Sequence, residues 1–597
     1  MKQKLTQILV LSLILSGCAG QKPISKRIFY EKTIIDFAFQ NPELISFVEP
    51  PLLDRFWNYK AKLSNVSPEY EKKMVEKIGE KNATLEHYRT DKLHGQKQIS
   101  YEILHWFLKH EAEGKNFLYY DYPLNQLHGI QSETPGLMMS MHSIKNKRDV
   151  KSYLSRLKSF DLKFKQTLEG MEVRKKQGVI PPKFVLEKVI AQMKGLIAVS
   201  PKKNPLYTTL ADKMTQAKFS DKKQSPLLLL TEEAIGKSVY PAYQTLIVYC
   251  EALLPLATND DGVWKFPNGK AYYAHKLKTH TTTNLSADEI HALGLKEIER
   301  LETEAKIVLK RLTLTEKSVG ESLADLSQDP RFLYSDTPQG QKECLERYQT
   351  LIDDIYKKIP DVFDIQPKAK VVVKRVPEFK EKTAPGAYYE PPSLNGKRPG
   401  IFYANLRSLQ EIPTWSMATL AFHEAVPGHH FQLAIQQKLK HVPTFRKMIP
   451  FTAYMEGWAL YAEQLAVEMS AHEDDYSLLG YYQAQLFRAV RLVVDTGIHE
   501  KKWTREQAIE YMIAHTGMPK GDVTAEIERY IVDPGQACAY KIGQLKILEL
   551  REKTRQALGE KFSLKAFHHL ILTNGSMPLE IMEKVVEDFI QQQKRQG

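Results

Sequence analysis

Cysteine is scarce. There are four in 597 residues, at Cys18, Cys250, Cys344 and Cys538. No two form a Cys-x-x-Cys pair, which excludes a cysteine zinc site and a thiol redox motif. Stability must come from the size of the core rather than from disulfides. The chain also lacks any run of 18 or more apolar residues, so no transmembrane helix is expected. Internal repeats and low-complexity tracts are absent, and no basic stretch is interleaved with aromatics. Net charge is +13 with a pI near 9.1. The basic residues lie in short clusters such as 145–148 and 174–176, which read as solvated helix faces. Nucleic acid is therefore not an expected partner. The charge still suits an anionic envelope surface or acidic peptides.

What is present begins at the N-terminus. Met1 to Lys4 is basic, and Ile8 to Leu15 is a short apolar stretch. It is too short to span a bilayer and has the form of a signal peptide over residues 1–17. It runs into Leu15-Ser16-Gly17-Cys18, which resembles a lipobox, with Cys18 lipidated as the first mature residue. The alternative is a plain signal peptide with a chance cysteine. Ala19 in place of Asp points to an outer-membrane lipoprotein facing the periplasm. The membrane is then a partner through this anchor, with residues 18–26 as linker. No sequence feature specifies an oligomeric state.

Helical patterning dominates the rest, and the expected fold is mainly α. A helical N-terminal region is expected over 27–275 and a helical catalytic region over 276–597. Leu154 to Leu157 with Phe160, Leu162 and Phe164 forms one amphipathic stretch, and Leu186 to Ile197 another, separated by Pro181-Pro182. Asn268-Gly269, flanked by Trp264, Phe266, Tyr272 and Tyr273, predicts a hairpin. Ser286-Ala-Asp-Glu289 is a capping box opening a helix through Glu304. Between 370 and 406, Val371 to Val376, Ala387 to Tyr389 and Gly400 to Ala404 read as strands of a small antiparallel sheet.

The chemistry is concentrated in Phe422-His423-Glu424-Ala425-Val426-Pro427-Gly428-His429-His430. A Glu directly after a His is where metalloprotease helices keep their general base. Four residues beyond His423 stands Pro427, so the usual second ligand is missing; His429 and His430 follow at six and seven residues. On a straight helix His429 would lie about 240° around and about 9 Å along, and His430 about 10.5 Å along. Pro427-Gly428 offers a place for a helix bulge. A bulge absorbing two residues would bring His429 to the i+4 place, so His429 is preferred and His430 is the alternative. The third expected ligand is Glu456, in the apolar helical stretch Met455 to Glu463. A carboxylate in such a helix is costly unless paired or metal-bound. Glu463, on the same face, is either a partner behind the ligands or solvated. The competing reading is a buried helix whose imidazoles are merely hydrogen-bonded.

These segments resemble the bacterial family called domain of unknown function 885, many of whose members are lipoproteins. The resemblance is carried by Thr281 to Ser286, Ile290 to Gly294, His423 to His430, Glu456 to Glu463, Val494 to Gly497 with His499, and Tyr530 to Gln536. The family is similar to gluzincin peptidases of the oligopeptidase and thermostable carboxypeptidase type, which use His-Glu-x-Gly-His plus a downstream Glu. Matching their Gly-His to Gly428-His429 implies a zinc ion (Zn2+) held by His423, His429 and Glu456, with Glu424 as general base. It implies a large helical fold with a sheet offering an edge to extended peptide, where Tyr403 is a candidate substrate contact. Tyr540 would donate to the oxyanion, as tyrosines do in the similar oligopeptidases. His499 is a candidate for polarising the scissile carbonyl, against an ordinary capping or core role. Arg529 and Lys541 are candidates for a substrate carboxylate, against surface ion pairing. The expected activity is zinc-dependent peptide hydrolysis at the cell envelope, as a carboxypeptidase or an oligopeptidase. The alternative is a non-catalytic metal-binding or scaffold lipoprotein.

Overall fold

The computed structural model describes residues 25–48, 57–381, 384–393 and 398–595. The signal-peptide and Cys18 assignments lie outside them. Among the described residues the chain is mainly α-helical with one small sheet, and it divides into two compact units. The first takes in the chain up to Arg89, Phe107–Asp260 and Lys265–Pro267. The second takes in Thr90–Trp106, Asp261–Trp264 and the chain from Asn268 onward.

The expected boundary at 275/276 therefore falls inside a helix, Gly269–Thr281. The expected hairpin does not form. Asn268 has φ 55° and stands at the head of that helix, and Trp264 lies in the 3-10 turn Val263–Lys265. Asn-Gly supplies left-handed backbone for a helix start as readily as for a hairpin. Residue 269 must also be small, since a Cβ there would lie 2.0 Å from the Val263 carbonyl oxygen.

In the first unit the expected amphipathic stretches form helices Lys147–Lys158, Phe160–Lys176 and Lys183–Ile197. Phe160, Phe164, Leu186 and Val189 are buried, whereas Leu162 is turned outward.

The second unit is built on helices Ala287–Arg311, Thr452–Glu468, Asp475–His499 and Ala539–Leu558. The Ser286 capping box opens the first of these, which runs on past Glu304. Two close approaches set how they pack. A Cβ on Gly294 would meet Leu492 and Val493 at 2.8 Å, and one on Gly457 would lie 2.4 Å from the Gly543 carbonyl carbon. Glycine at both members of the second pair lets Thr452–Glu468 and Ala539–Leu558 touch backbone to backbone. His291 faces the Thr496 hydroxyl at 2.8 Å, and Asp495 accepts from the Tyr273 hydroxyl at 2.5 Å and the Gly535 N–H at 3.0 Å. The segments 290–294, 494–497 and 530–536 thus act as joints between helices. Cys250, Cys344 and Cys538 are buried and unpaired. No helix among the described residues is long and apolar enough to cross a membrane.

The sheet has strands β1 (Val371–Arg375), β2 (Ala387–Glu390) and β3 (Gly400–Ala404) in the order β1-β3-β2. It is mixed, not antiparallel: β3 runs antiparallel to β2 but parallel to β1. The chain inserts its third strand between the first two instead of adding it outside, as a meander would.

Candidate metal centre

The helix carrying His423 is short, Met417–Glu424, and a second helix starts at His429. The sequence predicted one helix with a bulge; the structure has two helices and a turn. Pro427 has no N–H to continue the ladder. The Gly428 N–H reaches back to the Phe422 carbonyl at 3.0 Å, and the Val426–Pro427 peptide is cis. A Cβ on Gly428 would lie 1.8 Å from the His423 carbonyl oxygen, so only glycine fits the turn. Trp458 Nε1 donates to the Pro427 carbonyl at 2.9 Å and ties the turn to the helix bearing Glu456.

This turn swings His429 back beside His423, their ring centroids 4.8 Å apart and nearly perpendicular. Glu456 Oε2 lies 3.6 Å from His423 Nε2 and 3.3 Å from His429 Nε2. The three groups offer ligand atoms all within 4.8 Å of one another and can hold a metal ion. A tetrahedral ion with bonds of about 2.0–2.1 Å sets its ligand atoms about 3.3 Å apart, close to the two distances from Glu456 to the histidines. His429 Nδ1 is buried and has no hydrogen-bond partner. Burial alone would push the His423 imidazole down, but hydrogen bonds to Glu456 and Glu463 lift it to about 9. Burial would likewise raise the Glu456 carboxyl, yet the facing histidines hold it well below the usual carboxylate range. A site that favours positive charge so strongly is suited to a cation.

Behind His423 stands Glu463, fully buried, its Oε1 2.7 Å from His423 Nδ1. A carboxylate only accepts, so Nδ1 keeps its proton, and a metal ion binding at Nε2 would displace the proton held there. Glu463 Oε2 accepts from Gln485 Nε2 at 2.8 Å, and Gln485 Oε1 accepts from Lys541 Nζ at 2.9 Å. Replacing Glu463 with Gln should weaken metal binding roughly 10–100-fold, read by competition with a chromophoric chelator. Unchanged affinity would mean that this bond does not orient His423.

The other predicted residues are distributed as follows. Glu424 is the last residue of its helix and half-buried. His430 points away from the cluster: its Nδ1 accepts from the Tyr389 hydroxyl at 2.8 Å and its Nε2 faces the Ala369 carbonyl at 3.0 Å. Tyr540 is half-buried, three residues ahead of Gly543, with the Arg491 guanidinium 4.5 Å from its ring centre. His499 is not available to substrate. It is fully buried, its Nδ1 accepts from the Val263 N–H at 3.2 Å and its Nε2 faces the Tyr530 carbonyl at 3.0 Å. Lys541 is likewise withdrawn, buried and paired with Glu297 at 3.1 Å. Arg529 is tied to Glu526 at 2.7 Å and Gln536 at 3.0 Å. Tyr403 stacks on Tyr388 with centroids 5.0 Å apart. Strand side chains alternate, and the neighbouring pair Tyr389 and Phe402 faces the His430 side, so Tyr403 lies on the opposite face. Sequence reasoning missed Gln485, Arg488 and Arg491, since Gln and Arg on a downstream helix carry no motif.

Comparison with known proteins bears on the whole chain. Among solved structures, a candidate lipoprotein from Colwellia psychrerythraea superposes with TM-score 0.90 at 33% identity, covering 94% of this chain and 98% of its own. A candidate lipoprotein of unknown function from Shewanella oneidensis shares the fold, with TM-score 0.73 at 19% identity, covering 94% of this chain and 100% of its own. A candidate oligoendopeptidase F from Bacillus anthracis str. Ames reaches a TM-score of only 0.31 at 11% identity, covering 99% and 96%, and supports no inference. No curated protein matches. The family described as "Bacterial protein of unknown function (DUF885)" matches residues 51–586, and the chain belongs to that family.

Proposed function

We propose that this protein is a zinc-dependent peptidase of the bacterial cell envelope. The observation that carries the reading is the convergence of His423, His429 and Glu456, whose ligand atoms all lie within 4.8 Å of one another. Two imidazoles and a carboxylate are a catalytic zinc set, in which three protein ligands leave one position open; structural zinc sites close all four. Among the described residues only three such groups gather here. When bound, zinc supplies Lewis acidity, polarising a carbonyl and acidifying water. Glu424, adjacent to His423 and not among the three ligands, takes the proton from the attacking water and returns it to the leaving amine. Tyr540 donates its hydroxyl to the developing oxyanion. His499 and Lys541 have no part in the chemistry.

The sheet has two edge strands, β1 and β2. β3 is paired on both sides, so Tyr403 sits on a central strand. β2 is an edge strand and packs beside the helices bearing His423 and His429. Strand addition there holds the substrate by main-chain hydrogen bonds, which explains how side-chain preference can be weak.

The test is a mixed peptide library digested by the zinc-loaded protein and followed by mass spectrometry. Cleavage that disappears on chelation and returns with zinc is expected. Zinc binding without any product would favour the scaffold alternative. For the address, the lipobox-like sequence ending at Cys18 supports an outer-membrane lipoprotein facing the periplasm. Cys18→Ser should move the protein from the membrane fraction to the soluble one, and continued tight retention would point to another attachment.

A further inference from the structure

Lys541, on helix Ala539–Leu558, is 1% exposed. A buried ammonium is costly unless its charge is paired and its N–H groups are satisfied. Lysine has three such N–H groups, and three acceptors surround this one: Glu297 at 3.1 Å, Gln485 Oε1 at 2.9 Å and Gln544 Oε1 at 3.0 Å. Glu297 supplies the counter-charge and is itself held by Arg300 at 2.7 Å. Burial pushes the ammonium down to about 8, with Glu297 opposing, so it is charged at neutral pH. Gln544 donates onward to the Leu460 carbonyl at 3.2 Å. Gln485 donates towards the metal residues instead, from Nε2 to Glu463 Oε2 at 2.8 Å.

A glutamine amide has two unlike ends, and its neighbours decide which way it points. Lysine only donates, so Gln485 Oε1 faces Lys541 and Nε2 faces Glu463. Reversed, the amide would set its oxygen against a carboxylate oxygen. Glu463 would then turn away and give up its bond from His423 Nδ1 at 2.7 Å. Gln485 and Glu463 are both fully buried, so bulk solvent does not take over either bond. The direction of the chain, Lys541 to Gln485 to Glu463, is thus fixed at its far end by the ammonium.

We infer that Lys541 is a positioning residue for the metal ligand His423, acting through the amide of Gln485 and the carboxylate of Glu463. This rests on the metal centre proposed above and names what sets its affinity from behind. Lys541 touches no substrate and moves no proton. Charge alone predicts the opposite effect. A buried cation repels a metal ion, so its removal would tighten binding by charge and weakens it by loss of position.

Zinc affinity is measured by competition with a chromophoric chelator on wild type, Lys541→Met and the double variant Glu297→Met/Lys541→Met. The double variant removes both partners together and keeps the net charge, which guards against a fold lost to one unpaired buried charge. Arg300 retains Glu304 at 2.8 Å. Both variants should bind zinc roughly 10-fold more weakly, the lower end for losing an outer partner of a metal ligand. Gln544→Leu removes an acceptor of the same ammonium on the side away from His423 and should bind zinc like wild type. In a Glu463→Gln background Lys541→Met should cost nothing further, whereas a merely structural loss would add. In the metal-free protein the His423 Nδ1 proton, assigned by its absence from His423→Ala, should give a downfield resonance that Lys541→Met shifts or abolishes. Unchanged or tighter zinc binding in both Lys541 variants, an equal loss in Gln544→Leu, additive losses with Glu463→Gln, or an unmoved resonance would overturn the inference. Equal zinc binding by wild type and variants would leave the metal centre standing without it. A wild type that binds no zinc, with a resonance that depends on Lys541, would sink the metal centre and keep the positioning.

Discussion

Replacing Glu424 with Gln is expected to lower peptide hydrolysis by at least roughly 10²-fold, and up to roughly 10⁴-fold, while zinc stays bound. Gln keeps the size and shape of Glu but cannot take a proton. The three groups that can hold a metal ion are His423, His429 and Glu456, and on the proposed reading Glu424 works on the attacking water. Thermal unfolding should hardly change, because the residue is half-exposed at a helix end. Glu456→Gln should behave the other way and weaken zinc binding first, since it removes a charged ligand. Metal titration and turnover measured on both variants decide the matter. Loss of zinc in Glu424→Gln with zinc retained in Glu456→Gln would mean the two carboxylate roles are reversed.

The second large effect is expected at the paired histidines. His429→Ala should remove nearly all zinc, because it takes away one of three ligands. His430→Ala should keep zinc and instead destabilise the fold by about 1–3 kcal/mol. The reason is visible in the bonding. Both His430 nitrogens are committed, and burial pushes its imidazole down to about 4, so it stays neutral in the core. Its loss leaves the Tyr389 hydroxyl and the Ala369 carbonyl without a partner. Elemental analysis and a denaturant melt on the two variants read the two effects separately. Equal zinc loss would mean that the turn at Pro427-Gly428 does not deliver His429 alone to the metal.

Much of this arrangement was legible in the residues because it is local. The capping box at Ser286 and the helical character of the chain follow from short-range chemistry. The turn between His423 and His429 was only half legible. Proline and glycine announce a break, but a bulge and a full restart use the same residues, and the bond from Gly428 to Phe422 decides between them. Asn268-Gly269 failed for a related reason, since left-handed backbone serves a helix start as well as a hairpin. His499 and Lys541 misled because a polar residue on an inward face looks the same whether it meets substrate or an internal partner. Only the fold shows that Tyr530 and Glu297 already occupy them. The sheet direction was illegible, because nothing in the strand sequences says whether the third strand pairs outside the second or between the first two.

The central claim is that His423, His429 and Glu456 hold a zinc ion. Elemental analysis of the protein after zinc loading and exhaustive dialysis tests it most directly. About one zinc per chain is predicted for wild type, and close to none for His423→Ala and Glu456→Ala. A wild type that retains no zinc, or variants that retain as much as wild type, would contradict the account.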